Sequence, residues 1–337
     1  MQPGIPGTQG PVSYSAGVEG AAGADQRGYV HVAHRGAPGP GSAELLAPWL
    51  QRGLTDGGAV VLACAPGLRG PLLDRLGTEG VHVVDPDELG GRAPDAIAGH
   101  TSLVDRLTVG GTRLHLVTDS ARTALGTPAW LQTEALLNHV LADRALVHYC
   151  VVDPDHLGAD TERALSCHPW TLTAEGVLPN PGRRDPAEVL RSLWSAPAPD
   201  PLEATPPTLE VEDVGSVRQL RRALSESLAD GPLDPDDAED LVLAIDEVVA
   251  NAAEHGVPPV DVRLWVTEQR VLCAVADRGQ GFDEPLAGYG PAHGTDLSVG
   301  GMGLWLARRA VDRMTTAPLA DGDGCVVRLV VDPRRDV

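Results

Sequence analysis

Glu247 and Asn251 stand four residues apart inside the run Leu241-Val-Leu-Ala-Ile-Asp-Glu-Val-Val-Ala-Asn-Ala-Ala-Glu-His-Gly256. That spacing puts both side chains on one face of a helix. The surrounding residues are largely Leu, Val, Ile and Ala, and an amide facing an apolar core is costly unless something binds it. A Mg²⁺ ion, a hard cation that takes oxygen ligands, would supply that partner. A carboxylate one turn earlier can orient or deprotonate an attacking hydroxyl. The competing reading is a polar stripe that faces solvent.

Two further segments carry chemistry of their own. Asp277-Arg-Gly-Gln-Gly-Phe282 follows a strand ending at Ala276. An Asp at a strand end can accept a hydrogen bond from an exocyclic amine such as that of adenine, and the glycines let backbone approach a ligand closely. Alone, the segment is a turn. Gly300-Gly-Met-Gly-Leu-Trp-Leu-Ala-Arg-Arg309 leads straight into a helix N-terminus, an anion site in its own right; its plainer reading is a glycine loop before a packed helix. The chain contains no lysine. A Walker A loop, which sets a Lys on the terminal phosphates, is therefore excluded. Backbone N–H groups and arginines must hold any phosphate. Between Phe282 and Gly300 a loop rich in Gly, Pro and Ala is long enough for a mobile lid.

The chain that must position these residues has 337 of them, enough for two domains. It is 42% hydrophobic but only 3% aromatic, so its cores are built of Leu, Val and Ala. A net charge of −21 disfavours nucleic acid and anionic membrane as partners. Five cysteines without metal-ligand spacing imply reduced, buried thiols in a cytoplasmic protein. Neither a signal peptide nor an apolar run of membrane-spanning length is expected.

Residues 1–27 read as a disordered tail. From 28 to 195, apolar strand runs alternate with helical patterns. Strands are expected at Tyr29–Ala33, Ala59–Cys64, Val81–Val84, Arg113–Val117 and Ala145–Val152. Helices fall at Ala43–Gly53, Pro71–Leu76, Asp95–Leu107 and Pro128–Asp143. The alternation implies an α/β domain with a parallel sheet. Residues 196–210 form a proline-rich linker. A second domain, 211–332, should be an α+β sandwich. Its expected helices are Val214–Ala229, one capped by Asp234 and running to about Glu254, and Gly303–Met314. Its expected strands are Val260–Thr267, Val271–Ala276 and Cys325–Val331, in a mixed or antiparallel sheet.

The order and spacing of the three segments resemble the GHKL ATPase fold of histidine kinases, gyrases and a class of heat-shock chaperones. Within that group they are most similar to the anti-sigma-factor serine kinases of bacteria. Glu247 and Asn251 match the N box, Asp277, Gly279 and Gly281 the G1 box, and Gly301, Gly303 and Leu304 the G2 box. The resemblance implies Asn251 on Mg²⁺, Asp277 on the adenine amine, and Glu247 as the catalytic base of an ATP-dependent kinase. A histidine kinase also needs a phosphoacceptor histidine on a dimerising helix, and no histidine occurs between Trp194 and Val248. His255 resembles the family's His-Gly ending and is read as structural. The anti-sigma type, whose acceptor is a Ser or Thr on a separate antagonist protein, is favoured. A histidine-kinase relative and a non-catalytic, sigma-factor-sequestering module that holds ATP structurally are the alternatives.

Residues 28 to about 193 resemble the MEDS sensory domain. The matching residues are His34, Glu134–Asn138, Ala164-Leu-Ser-Cys-His-Pro169 and Val177-Leu-Pro-Asn-Pro181. That resemblance implies a RecA-like α/β sheet that senses small organic ligands, with His34, Glu134 and His168 as candidate pocket residues. The competing reading gives His168-Pro169 a capping role and Glu134 a surface pair. The loop Ala65-Pro-Gly-Leu-Arg-Gly70 stands where a phosphate loop would, without its Lys or Ser/Thr, so no ATP hydrolysis is expected there. The expectation as a whole is a cytoplasmic, signal-responsive Mg-ATP kinase acting on an antagonist protein or holding a sigma factor. The family's pairing of kinase domains adds a homodimer to it.

Overall fold

The computed structural model describes residues 28–108, 111–120, 127–194, 200–281, 286, 288–289, 303–319 and 322–333. By internal contacts the chain forms two units. The first gathers Met1–Glu88, His100–Arg122 and Leu141–Arg184, and the second Leu89–Gly99, Thr123–Val140 and Asp185–Val337.

The first unit is built on a seven-stranded sheet. Its strands are β1 (Val30–Arg35), β2 (Ala59–Ala63), β3 (Val81–Val83), β4 (Leu114–Asp119), β5 (Leu146–Val152), β6 (Trp170–Thr173) and β7 (Gly176–Pro179), in the order β3-β2-β4-β5-β1-β6-β7. All neighbours are parallel except the β6–β7 hairpin. Strands β1, β2 and β5 are almost wholly buried, as expected where crossovers cover a parallel sheet. Val30 and Val32 of β1 and Val147, Tyr149 and Val151 of β5 share one face. They pack with Leu46 and Leu50 of helix Pro40–Thr55 and with Leu68 and Leu72 of helix Pro66–Leu76. The period of two therefore sends His31, His148 and Cys150 to the opposite face.

The second unit carries a five-stranded sheet. β8 (Leu209–Val211), β9 (Asp261–Thr267), β10 (Arg270–Asp277), β11 (Arg313–Pro318) and β12 (Cys325–Val331) lie in the order β11-β12-β10-β9-β8, every pair antiparallel. Helices Val217–Leu228, Pro235–His255 and Gly303–Ala310 share one core with it. Leu220, Leu224 and Leu228 form the buried stripe of the first helix at i, i+4, i+8.

Pieces of the expected linker are built into this unit. Asp200 and Glu203 form a capping box on a short 3₁₀ turn, Pro201–Ala204. Glu203 takes both Arg328 Nε, at 2.6 Å, and Nη2, at 3.0 Å, and Asp200 takes Arg270 at 2.7 Å. Leu202 packs with Trp265, Leu272 and Val330 on the face of the sheet away from the helices. The outlying segments are held by ion pairs: Arg92 bonds Asp312 at 2.8 Å, and Arg309 bonds Asp95 at 3.1 Å.

Candidate functional site

The long helix Pro235–His255 starts where Asp234 accepts the Asp237 amide at 2.9 Å, with Pro235 in the first turn. Its buried face is Leu241, Ala244, Ile245, Val248, Val249 and Ala252. Glu247 and Asn251 lie beside that stripe and are half-buried. Asn251 thus lies between the two readings, at the edge of the apolar core and not on open surface. The polar pair occupies the helix's shoulder, where burial costs less and an oxygen ligand stays accessible.

Two points along this helix meet another of the three segments. Gly303, the first residue of helix Gly303–Ala310, approaches so near to Glu247 that a β-carbon there would collide with the carboxylate. Five residues beyond Asn251, Gly256 ends the long helix against Asp277; a β-carbon on Gly256 would come within 2.6 Å of Asp277 Oδ1. One on Gly279 would lie 2.6 Å from the same oxygen and 3.2 Å from Gly256 Cα. Asp277 Oδ1 accepts the Gly279 amide at 2.6 Å and the Val257 amide at 3.3 Å, and the Arg278 amide donates to the Val257 carbonyl at 2.7 Å. The buried Asp277 thus staples the turn after β10 to the end of the long helix. With 1.5 Å of rise per residue, Glu247 and Gly256 stand roughly 13 Å apart along the axis, with Asn251 between them.

Gly281 has φ +71, and a β-carbon on it would strike Cys325 Sγ at 2.7 Å. Position 281 thus needs glycine for both backbone and space. Burial and the Asp277 carboxylate push the Cys325 thiol up to about 11, against the opposing pull of Arg328. Leu304 packs on the core and abuts Gly288. Gly301 and most of the expected lid lie outside the described residues; of the lid only 286, 288 and 289 are described.

Two arginines of the third segment have partners within this unit. Arg308 is buried, its guanidinium 4.3 Å over the Tyr289 ring and bonded to the Tyr289 hydroxyl at 2.9 Å. Burial lowers its pKa and the Tyr289 interaction opposes that shift. Arg309 takes Asp95 and lies 5.4 Å over Trp305. The oxygen donors at 247 and 251, with glycines where a side chain would block approach, fit a hard cation and a nucleotide. A cavity of about 540 Å³ in this unit is lined by residues including Arg221, Ser225, Leu243 and Asp246 and includes neither Asn251 nor Asp277.

Sequence reasoning missed the part played by Gly256. Its signal is the His-Gly ending of the first motif, which the sequence marks only as a helix stop. In the first unit, His34 is clasped by the Leu172 carbonyl at 3.2 Å and the Ser42 hydroxyl at 3.1 Å, and burial lowers its pKa. His168 lies against the His31 ring with centroids 4.0 Å apart. Glu134 is buried and belongs to the second unit, so the expected surface pair is not its setting.

Residues 211–331 match the family described as the histidine kinase-like ATPase domain. Among curated proteins, the "Serine-protein kinase RsbW" of Bacillus velezensis is 39% identical over 90 residues, covering 23% of this chain and 56% of the relative. The Bacillus subtilis protein of the same name is 37% identical over 90 residues, with the same coverage. The chain thus spans about half the length of the curated relatives it matches.

Proposed function

We propose that the second unit binds Mg-ATP and transfers its terminal phosphoryl group to a Ser or Thr hydroxyl of a separate antagonist protein. The observation that carries the reading is the pair of side-chain-intolerant contacts, Glu247 with Gly303 and Gly256 with Asp277 and Gly279. They bring glycine turns of two other segments against one helix, at Glu247 and at its C-terminal Gly256. In this reading Asn251 supplies an amide oxygen to Mg²⁺. Asp277 Oδ1 stays with its two backbone amides, and Oδ2 accepts the adenine amine. Gly279 and Gly281 admit the base, and Gly301, Gly303 and Leu304 present backbone N–H groups to the phosphates. Bound Mg²⁺ supplies charge that offsets the developing negative charge of phosphoryl transfer. Glu247 accepts the proton of the attacking hydroxyl as that oxygen bonds to the terminal phosphorus and the bond from that phosphorus to the bridging oxygen breaks, releasing ADP.

The relatives' name supports a serine acceptor, and the lack of histidine between Trp194 and Val248 argues against an internal histidine acceptor in that stretch. We place this activity in a cytoplasmic, signal-responsive regulator that can also hold a sigma factor, with homodimer formation part of the proposal. The 28–195 span, expected to be MEDS-like and RecA-like, is its sensor in the same proposal. Among the described residues no helix is long and apolar enough to cross a membrane.

The test is incubation of the full chain with ATP labelled in its terminal phosphate, alone and with a candidate antagonist. Acid-stable label on a Ser or Thr of the antagonist is the expected result. ATP binding without transfer would instead make the unit a binding module, and acid-labile label on the chain itself would make it a histidine kinase.

A further inference from the structure

On the face of the first sheet turned away from Val32 and Tyr149, imidazoles and a thiol crowd together. His31 of β1 is in register with His148 of β5, and Ala33 with Cys150, so His31, His148 and Cys150 project to the same side. His168 joins them from the turn that ends helix Thr161–Ser166. His31, His148 and His168 are fully buried, and Cys150 is 1% exposed. One ligand atom each from His31, Cys150 and His168 lies within 4.8 Å of the other two. The His31 and His168 ring centroids are 4.0 Å apart. Three soft or borderline donors converging in a buried layer are the donor set of a zinc-like ion and not of Mg²⁺ or Ca²⁺, which take oxygen.

The surroundings are arranged as ligands require. His168 Nδ1–H donates to the Ala164 carbonyl at 2.9 Å, which leaves Nε2 with the lone pair that a metal takes. The turn bearing His168 is itself pinned. Asn180 Nδ2 donates to the carbonyls of Leu165 and His168, each at 2.9 Å, and the Asn180 amide donates to the Pro169 carbonyl at 2.9 Å. Around Cys150, Thr118 Oγ1 lies 3.0 Å from Sγ and His148 Nε2 lies 3.6 Å from it. His148 Nδ1 in turn meets the Tyr29 hydroxyl at 3.0 Å. This second layer can donate hydrogen bonds to a thiolate and fix its direction.

We propose that the first unit binds one divalent transition-metal ion of the zinc class through His31, Cys150 and His168. Binding exchanges the Cys150 thiol proton, released to solvent, for a metal–sulfur bond, while the two imidazoles bind neutral through lone pairs. The site is independent of the nucleotide-binding reading and stands or falls separately.

The probe is Co²⁺ added to the full chain after chelator treatment, followed by absorbance. One ion per chain with an intense thiolate-to-cobalt band is expected, displaced by Zn²⁺ and unaffected by excess Mg-ATP. Cys150→Ser should remove that band. His168→Asn should weaken Co²⁺ binding at least tenfold, and Cys273→Ser, in the other unit, should leave both unchanged. Circular dichroism reports folding, and the His168→Asn variant carries the test if Cys150→Ser does not fold. A folded wild-type chain that binds no Co²⁺, or a band that survives Cys150→Ser, overturns the proposal.

Discussion

Two helix N-termini in this chain are built from similar material and made into different things. In the first unit, helix Pro66–Leu76 follows β2 by a short turn. The Ala65 amide donates to Asp119 Oδ2 at 2.5 Å, and Pro66 has no N–H to offer. The chain's own carboxylate therefore takes the place an anion would take. Gly70 there faces open space, with nothing within 4 Å of a β-carbon. In the second unit, Gly303 opens its helix against Glu247, and Gly256 and Gly279 leave no room for a side chain beside Asp277. Glycine near a helix start is thus weak evidence of a phosphate site. Glycine whose β-carbon would strike a carboxylate on a neighbouring segment is stronger evidence, because it requires the segments to meet.

The largest expected effect tests the second region. Asn251→Ala should abolish Mg²⁺-dependent nucleotide binding by calorimetry while the chain stays folded; wild-type affinity would remove Asn251 from the site. Next comes an effect confined to the first unit. Burial first, then the nearby Arg113, lowers the pKa of His115 to about 4, against an opposing influence of Asp56. The folded state therefore holds this imidazole neutral, and the unfolded chain binds the extra proton as the pH falls below about 6.5. Stability should be undiminished above that pH and fall by about 3 kcal/mol down to about pH 4, at roughly 1.4 kcal/mol per pKa unit. Denaturant titrations across this window should show the decline, and His115→Gln should flatten it.

Glu247→Gln sharpens the comparison by separating grip from chemistry. It should keep nucleotide affinity and lower turnover by about 10²-fold, measured at saturating ATP. Normal turnover would make Glu247 a packing partner of Gly303 alone. The smallest effect is that of Asp119→Ala. Removing the acceptor of the Ala65 amide should cost about 1–2 kcal/mol in chemical denaturation without creating nucleotide binding in the first unit.

Much of this was legible from residue spacing. The Asp234 cap and the helix behind it, and β12 at Cys325–Val331, stand where the sequence puts them. β11 was not legible. The sequence reading carries the last helix on to Met314, whereas the helix ends at Ala310 and Met314 reaches the same core from a strand paired with β12. An apolar residue serves either period, and only the distant partner strand decides. The β6–β7 hairpin was missed for a related reason, since each strand has only four residues and they turn through Ala174-Glu175. The proline-rich stretch looks like a tether because composition does not reveal that Arg270 and Arg328 wait for Asp200 and Glu203. At the site, the three segments were legible individually, but their meeting depends on Gly256, whose need for close approach exists only once Asp277 is opposite.

Amide hydrogen exchange of the full chain with and without Mg-ATP tests the central claim most directly. The account predicts slowed exchange in the segments around Asn251, Val257, Gly279 and Leu304, with residues 65–70 unchanged. Protection at 65–70, or none in the second unit at saturating nucleotide, would contradict it.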